Sequence, residues 1–323
     1  MRKILILFLS LWFTVGYAKN FQLIALGVNG GITDGNLSAY LIAPLDDPHY
    51  ISLDAGTLTQ GLERAHAAHA FKYSIDTMLA NHIPVYLISH AHLDHVIGFA
   101  IAQPILHNQQ ILMAREETLH ALQTHLFNWS VWVNFGDAGE KPTLKWQHYQ
   151  SLPLSHWQPV PKTNMRLEAF PLNHGKGYPS TAFLIESHNN YVLYFGDTGA
   201  DQIEKDDKIE HIWRTITPLI QEQKLRAILL ECSFANSQPD TQLFGHLKPS
   251  LYLNELRQLA TRVDPKHPKT ALKGLIVFVT HIKPTAESLP SHQTADLILA
   301  ELQQGNDLGV VFVVPQQGKK YIL

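Results

Sequence analysis

Cysteine is almost absent: one residue, Cys232, in 323. That excludes an internal disulfide framework and any cysteine-rich zinc module. Charge is also scarce, with Asp, Glu, Lys and Arg together making up 16% of the chain and a formal net charge of -3. Apart from the closing Gly318-Lys319-Lys320, no stretch gathers basic residues. A basic face for a nucleic-acid polymer is therefore disfavoured. No Gly-x-Ser-x-Gly nucleophile elbow occurs, and Gly175-Lys176-Gly177 lacks the spacing of a phosphate-binding loop. Gly27-x-x-Gly30-Gly31 follows an expected strand but precedes another, so it does not open a dinucleotide site. Apolar residues are not scarce: 45% suffices for a large packed core. What stands out is 19 histidines, roughly two to three times the usual share.

The first eighteen residues read as a secretory signal peptide. Arg2 and Lys3 precede an apolar run from Ile4 to Val15, and Gly16-Tyr17-Ala18 supplies the small residues of a cleavage site. The run is shorter than the ~20 residues of a spanning helix, so no stable membrane anchor is expected after cleavage. Export to the periplasm follows, with residues 19–323 as one mature domain and Lys19 as its first residue. A lone thiol suits an oxidising compartment, and Cys232 reads as a small buried hydrophobe.

Along the mature chain, strands are expected at Phe21–Leu26, Leu37–Ala43, Tyr50–Asp54 and Val85–Ser89. Further strands fall at Ala227–Leu230, Leu275–Thr280 and Val310–Val314, and Ala182–Glu186 with Tyr191–Phe195 reads as a hairpin. Helices are expected over Gly56–Ala80, most of Met113–Val133, Pro249–Ala260 and Ser291–Gln303, with loops and short strands over 136–172. The alternation suggests an α/β protein of two packed sheets with helices outside.

The densest chemical signal is Ser89-His90-Ala91-His92-Leu93-Asp94-His95. It puts three imidazoles and a carboxylate in a loop directly after a strand. Zinc and similar divalent ions take these ligands. His174, Asp197 and His281 also sit at expected strand–loop boundaries. With the first cluster they complete two sites of three to four ligands, Asp197 being placed to bridge. Asp54 ends a strand and reads either as a turn residue or as the partner of a ligand imidazole's free N–H.

His90-x-His92-x-Asp94-His95 followed by His174, Asp197 and His281 resembles the metallo-β-lactamase superfamily. The block His90–Gly98 is similar to the signature of its class II cyclic-nucleotide phosphodiesterases. The similarity continues through His125–Trp129, Trp132–Phe135, Ser180–Phe183, Phe195–Gly199, Leu230–Phe234 and Phe244–Leu247. Val133 departs from it, standing where Pro is expected.

The resemblance implies an αββα sandwich and two divalent ions, zinc being the first expectation. His90, His92 and His174 would hold one ion, Asp94, His95 and His281 the other, with Asp197 between them. It implies hydrolysis of cyclic AMP, and of cyclic GMP as a second substrate, to nucleoside 5′-monophosphates by a metal-bridging hydroxide. Asp94 would orient that hydroxide. His246 is a candidate phosphate contact or general acid. His125, Asn128 and Trp132 are candidate contacts to the base, in an aromatic stretch with Phe127, Trp129 and Phe135 that equally reads as core. Two rivals stay open: an exported β-lactamase, disfavoured by Asp197 where those enzymes carry Cys or Ser, and a non-catalytic periplasmic metal- or nucleotide-binding protein.

Overall fold

The computed structural model describes residues 20–285 and 293–323. The expected signal peptide and the first residues of the last expected helix lie outside them. The first sheet takes β1 (Phe21–Gly27), β2 (Ala39–Pro44), β3 (Ile51–Leu53), β4 (Val85–Leu87), β5 (Ile111–Ala114) and β6 (His148–Ser151) in that order, with the final strand β14 (Lys320–Ile322) on the outer side of β1. β3 to β6 run parallel, and β14, β1, β2 and β3 pair antiparallel.

The second sheet takes β7 (Gln158–Pro159), β8 (Arg166–Asn173), β9 (Pro179–Ser187), β10 (Asn190–Phe195), β11 (Leu225–Glu231), β12 (Ile276–Thr280) and β13 (Val311–Val313), again in chain order. Its first four strands form an antiparallel meander and its last four are parallel. The expected hairpin is the β9–β10 pair.

Helices α1 (Thr59–Ala67), α2 (Ile75–Thr77), α3 (Leu93–Ala102) and α4 (Glu116–His125) belong to the first half. The second half has α5 (Asp201–Glu204), α6 (Lys208–Gln221), α7 (Pro249–Val263), α8 (Pro268–Ala271) and α9 (Gln293–Gln304). Three apolar layers hold these parts together. In β1, Phe21, Leu23 and Ala25 face the second sheet, where they join Phe183, Tyr194 and Phe278. The alternate residues Ile24 and Leu26 pack outward with Leu62, Phe99 and Leu122 of α1, α3 and α4. On the far side, Leu193 and Leu230 pack with Trp213 of α6 and Leu256 of α7. Alternate side chains point to opposite faces of a strand, so a strand buried on both faces must be apolar throughout. The result is the expected αββα sandwich of two mixed sheets.

Several expected elements differ. The helix over 56–80 is interrupted after Ala67, and His69 takes a left-handed backbone, φ +56°. The helix over 113–133 runs only from Glu116 to His125. Met113 belongs to β5, a parallel strand buried on both faces. Beyond His125, the Asn128 side chain accepts from the backbone N–H of Ser130 and Val131 and donates to Thr124 O. A short amide that captures backbone donors in this way competes with helix. The stretch 136–172, expected as loops and short strands, ends in the eight-residue strand β8. Its Pro171 is tolerated because β7 covers β8 only at Arg166 and Leu167, leaving an edge that needs no N–H from Pro.

Candidate functional site

Topology gathers the polar residues at one edge. β3 and β4 of the first sheet, and β8, β10, β11 and β12 of the second, end there. The segments just past those ends carry Asp54, the run Ser89–His95, His174, Asp197, Ser233 and His281, and Glu231 closes β11. The carboxyl ends of parallel strands are the usual ligand edge of α/β sheets.

Around Asp197 the side chains converge. His90, His92 and His174 bring ring nitrogens within 4.8 Å of one another, and so do the ligand atoms of Asp94, His95 and His281. Asp197 lies between the two sets. Its Oδ2 is 3.8 Å from His90 Nε2, 3.7 Å from His174 Nε2 and 3.2 Å from His281 Nε2, and its Oδ1 is 3.3 Å from His95 Nε2. Asp94 Oδ2 is 3.2 Å from His281 Nε2 and accepts from the backbone N–H of Gly31 at 3.0 Å. All seven expected metal residues are thus brought to one centre.

The rings are anchored through Nδ1, which turns Nε2 inward. His95 Nδ1 meets Asp54 Oδ2 at 2.7 Å, His90 Nδ1 meets Ser89 Oγ at 2.9 Å, and His281 Nδ1 meets Ser233 Oγ at 2.9 Å. His174 Nδ1 donates to Gly245 O at 2.9 Å. Exposed His92 is the exception: its Nδ1 faces His174 Nε2 at 3.2 Å while its ring stacks on Tyr178. Asp54 is therefore the anchor of a ligand ring.

The donor set fits divalent ions. Nε2 of His90 is buried with no hydrogen-bond partner, and such an orphaned polar atom is costly unless something binds it. Burial, ahead of neighbouring charges, holds His90, His92, His174 and His246 below the ordinary imidazole range, His92 at about 4. These rings are neutral, as a metal ligand must be. Burial opposes ionisation of Asp197 too, but the charges of His281 and His95 hold its carboxyl well below the usual range. Burial likewise opposes a proton on His95, yet Asp197 and Asp54 raise it well above the ordinary value, so an arriving ion must displace that proton.

His246 also belongs to the centre, 3.8 Å from Asp197 Oδ2 through Nδ1. Both its ring nitrogens are already engaged, by Glu231 and Lys283, so a direct phosphate contact would require one of these to move.

His125, Asn128 and Trp132 are not brought to the centre. His125 ends α4 and Asn128 and Trp132 follow it; the helix leaves the metal edge after β5 and returns to the start of β6 at the opposite edge. A ten-residue helix spans about 15 Å. Phe127 and Phe135 are core, Phe135 against Trp146, and Trp129 Nε1 donates to Pro142 O. The aromatic stretch is packing and surface at that far edge.

Sequence reasoning passed over Glu231, Ser233, Lys283, Tyr194 and Gly30. A carboxylate closing the apolar strand Leu225–Glu231 was a usable signal. Gly30 had none, because its role is steric: a Cβ there would lie 2.2 Å from His281 Cε1.

Residues 19–318 match the family profile of class-II cAMP phosphodiesterases. The chain belongs to the class-II cAMP phosphodiesterase family. A probable 3′,5′-cyclic-nucleotide phosphodiesterase of Yersinia pestis is 38% identical over 308 residues, covering 92% of this chain and 88% of that one. A 3′,5′-cyclic-nucleotide phosphodiesterase of Aliivibrio fischeri is 36% identical over 328 residues, 98% of this chain and 97% of its own. Unliganded yeast PDE1 has the same fold, with a TM-score of 0.81 at 22% identity over 95% of this chain and all of the other. A metallo-β-lactamase fold protein of Bacillus subtilis, YhfI, superposes with a TM-score of 0.61 at 14% identity, covering 94% of this chain and 99% of its own. As a class-II family member, this chain is a cyclic-nucleotide phosphodiesterase.

Proposed function

We propose that the enzyme hydrolyses 3′,5′-cyclic AMP, and cyclic GMP as a second substrate, to nucleoside 5′-monophosphates at a dinuclear zinc centre after export to the periplasm. The observation that carries this reading is Asp197, one carboxylate set between two groups of ring nitrogens.

His90, His92 and His174 would hold one ion, Asp94, His95 and His281 the other, with Asp197 shared. Two such ions supply Lewis acidity and lower the pKa of a water. The chain's own residues set the rest. Asp54 and Ser233 fix the tautomers of His95 and His281 through Nδ1. Gly31 N–H fixes one oxygen of Asp94, and the carboxylate is the acceptor that orients the attacking water. As the water gives a proton to the Asp94 carboxylate, its oxygen forms a bond to phosphorus in line with the P–O3′ bond, which breaks and leaves its electron pair on O3′, where that proton is finally delivered. Opening the ring at O3′ leaves the phosphate on the 5′ oxygen.

Export is supported by the Arg2-Lys3 start and the apolar run that follows it. Among the described residues no helix is long and apolar enough to cross a membrane. N-terminal sequencing of the periplasmic fraction should begin at Lys19; Met1 retained in a membrane fraction would refute export.

Parallel turnover assays on cyclic AMP and a β-lactam, with metal analysis and product identification, test the function. The expected outcome is 5′-AMP formation with no β-lactam cleavage, at about two ions per chain as the two-metal mechanism requires. A protein that binds metal and nucleotide without turnover would leave the non-catalytic reading instead.

A further inference from the structure

His246 sits in the middle of a three-residue chain. Its Nδ1 lies 2.7 Å from Glu231 Oε1 and its Nε2 lies 2.7 Å from Lys283 Nζ. The carboxylate takes the hydrogen bond of the Nδ1 proton, so Nε2 presents its lone pair and Lys283 donates to it. Glu231 is fixed in turn: it accepts from Thr198 N at 3.2 Å, Ser233 N at 3.1 Å, Ser233 Oγ at 3.0 Å and Leu247 N at 3.3 Å. The His246 ring stacks on His281 with centroids 5.2 Å apart and meets His174 edge-on at 4.5 Å. Lys283's own backbone N–H is bound to Ser233 O at 3.0 Å. The ammonium is therefore held beside the metal ligands from both its ring partner and its backbone.

An ammonium has three donors and a full charge. Among the described residues, Lys283 Nζ has one hydrogen-bond partner, His246 Nε2, and no carboxylate lies within ion-pair distance. The Phe234 ring is 6.0 Å away. A neutral imidazole and an aromatic face do not balance a half-buried charge, and buried charges ordinarily find a counter-ion. A substrate phosphate at this edge would supply that counter-ion.

We propose that Lys283 is the phosphate-binding cation of this site. Its remaining ammonium hydrogens meet a non-bridging oxygen of the cyclic phosphate, while His246 and Glu231 are positioning residues that hold the ammonium in place. This rests on the phosphodiesterase reading. A compact ammonium suits one oxygen of a small ring phosphate better than a guanidinium fork does.

The test uses the metal-loaded enzyme and the variants Lys283→Met, Lys283→Arg and His246→Gln. Metal content, kcat and KM on cyclic AMP, and calorimetric affinity for inorganic phosphate are measured for each. Lys283→Met should keep both ions while KM and the phosphate dissociation constant each rise about 10-fold or more, as for loss of a charged contact. Lys283→Arg should recover part of both. His246→Gln keeps the ammonium but loosens it, and should fall between Lys283→Met and wild type. Unchanged KM and phosphate affinity in Lys283→Met would overturn the assignment, and so would loss of the ions, which would make Lys283 a structural prop. If the wild type turned over no cyclic nucleotide yet Lys283→Met still lost phosphate affinity, the function would fail and the lysine assignment would stand.

Discussion

Asp54 Oδ2 lies 2.7 Å from His95 Nδ1, across 41 residues of sequence. The same carboxylate accepts from Tyr194 Oη at 2.6 Å and Ser89 Oγ at 2.8 Å through Oδ2, and from Ser89 N at 2.7 Å through Oδ1. One buried group thus ties the two sheets together and sets the tautomer of a metal ligand. Asp54→Asn keeps the size but removes the charge that faces the imidazole. Metal affinity should fall about 10- to 100-fold, with the fold retained. Equilibrium dialysis against a metal buffer checks this; unchanged affinity would reduce Asp54 to a turn residue.

The site was more legible in the sequence than its supports. His90, His92, Asp94 and His95 are close in sequence because one strand-to-helix turn holds them: His90 and His92 lie in the segment after β4, whereas Asp94 and His95, expected in the same loop, stand in the first turn of α3. His174, Asp197 and His281 could be read because each ends a strand. Residues that act by packing or by long-range bonds leave no local pattern: Tyr194 reaches Asp54 across 140 residues. The aromatic stretch after His125 misled for the opposite reason. Its composition is that of a stacking platform, but connectivity decides which edge of the sheet it occupies. Helix α6 was not foreseen at all; Ile209, Ile212, Trp213 and Ile216 mark its buried face at helical spacing.

Gly30 supplies a steric test. An added Cβ would lie 2.2 Å from Cε1 and 2.3 Å from Nε2 of His281, well inside contact distance. Gly30→Ala should push the imidazole out of line, remove about one ion per chain and cost at least ~10-fold in kcat, since small misplacements at reacting groups are costly. Circular dichroism should show the fold intact. Two tightly bound ions and normal turnover would mean that the loop simply yields.

Glu255 on α7 gives a pH test away from the metals. It is fully buried, and what its oxygens receive from the Asp201 backbone and the Trp213 side chain does not offset that burial. Burial first, then Asp201, pushes its pKa from 4.5 up to about 7. Between those values the folded chain binds a proton there that the unfolded chain does not, so its contribution to stability falls as pH rises through that window. Glu255→Gln stays neutral throughout. The variant should match wild type near pH 5 and be more stable near pH 8, by on the order of 2 kcal/mol. Comparing the two metal-loaded proteins by urea unfolding at each pH cancels the metals' own pH dependence. Equal stability at pH 8 would show that the carboxylate finds solvation when ionised.

The measurement that bears most directly on the two-metal phosphodiesterase is steady-state cyclic AMP hydrolysis by Asp197→Asn, with bound metal counted in the same sample. The amide keeps the shape but offers one good oxygen where two are needed, and removes the negative charge that the two proposed ions would share. Because Asp197 follows a strand end, the fold should survive. One ion should loosen and kcat should fall by at least ~10²-fold, a loss of about 2.7 kcal/mol of transition-state stabilisation. Two tightly bound ions with near-normal turnover would contradict it.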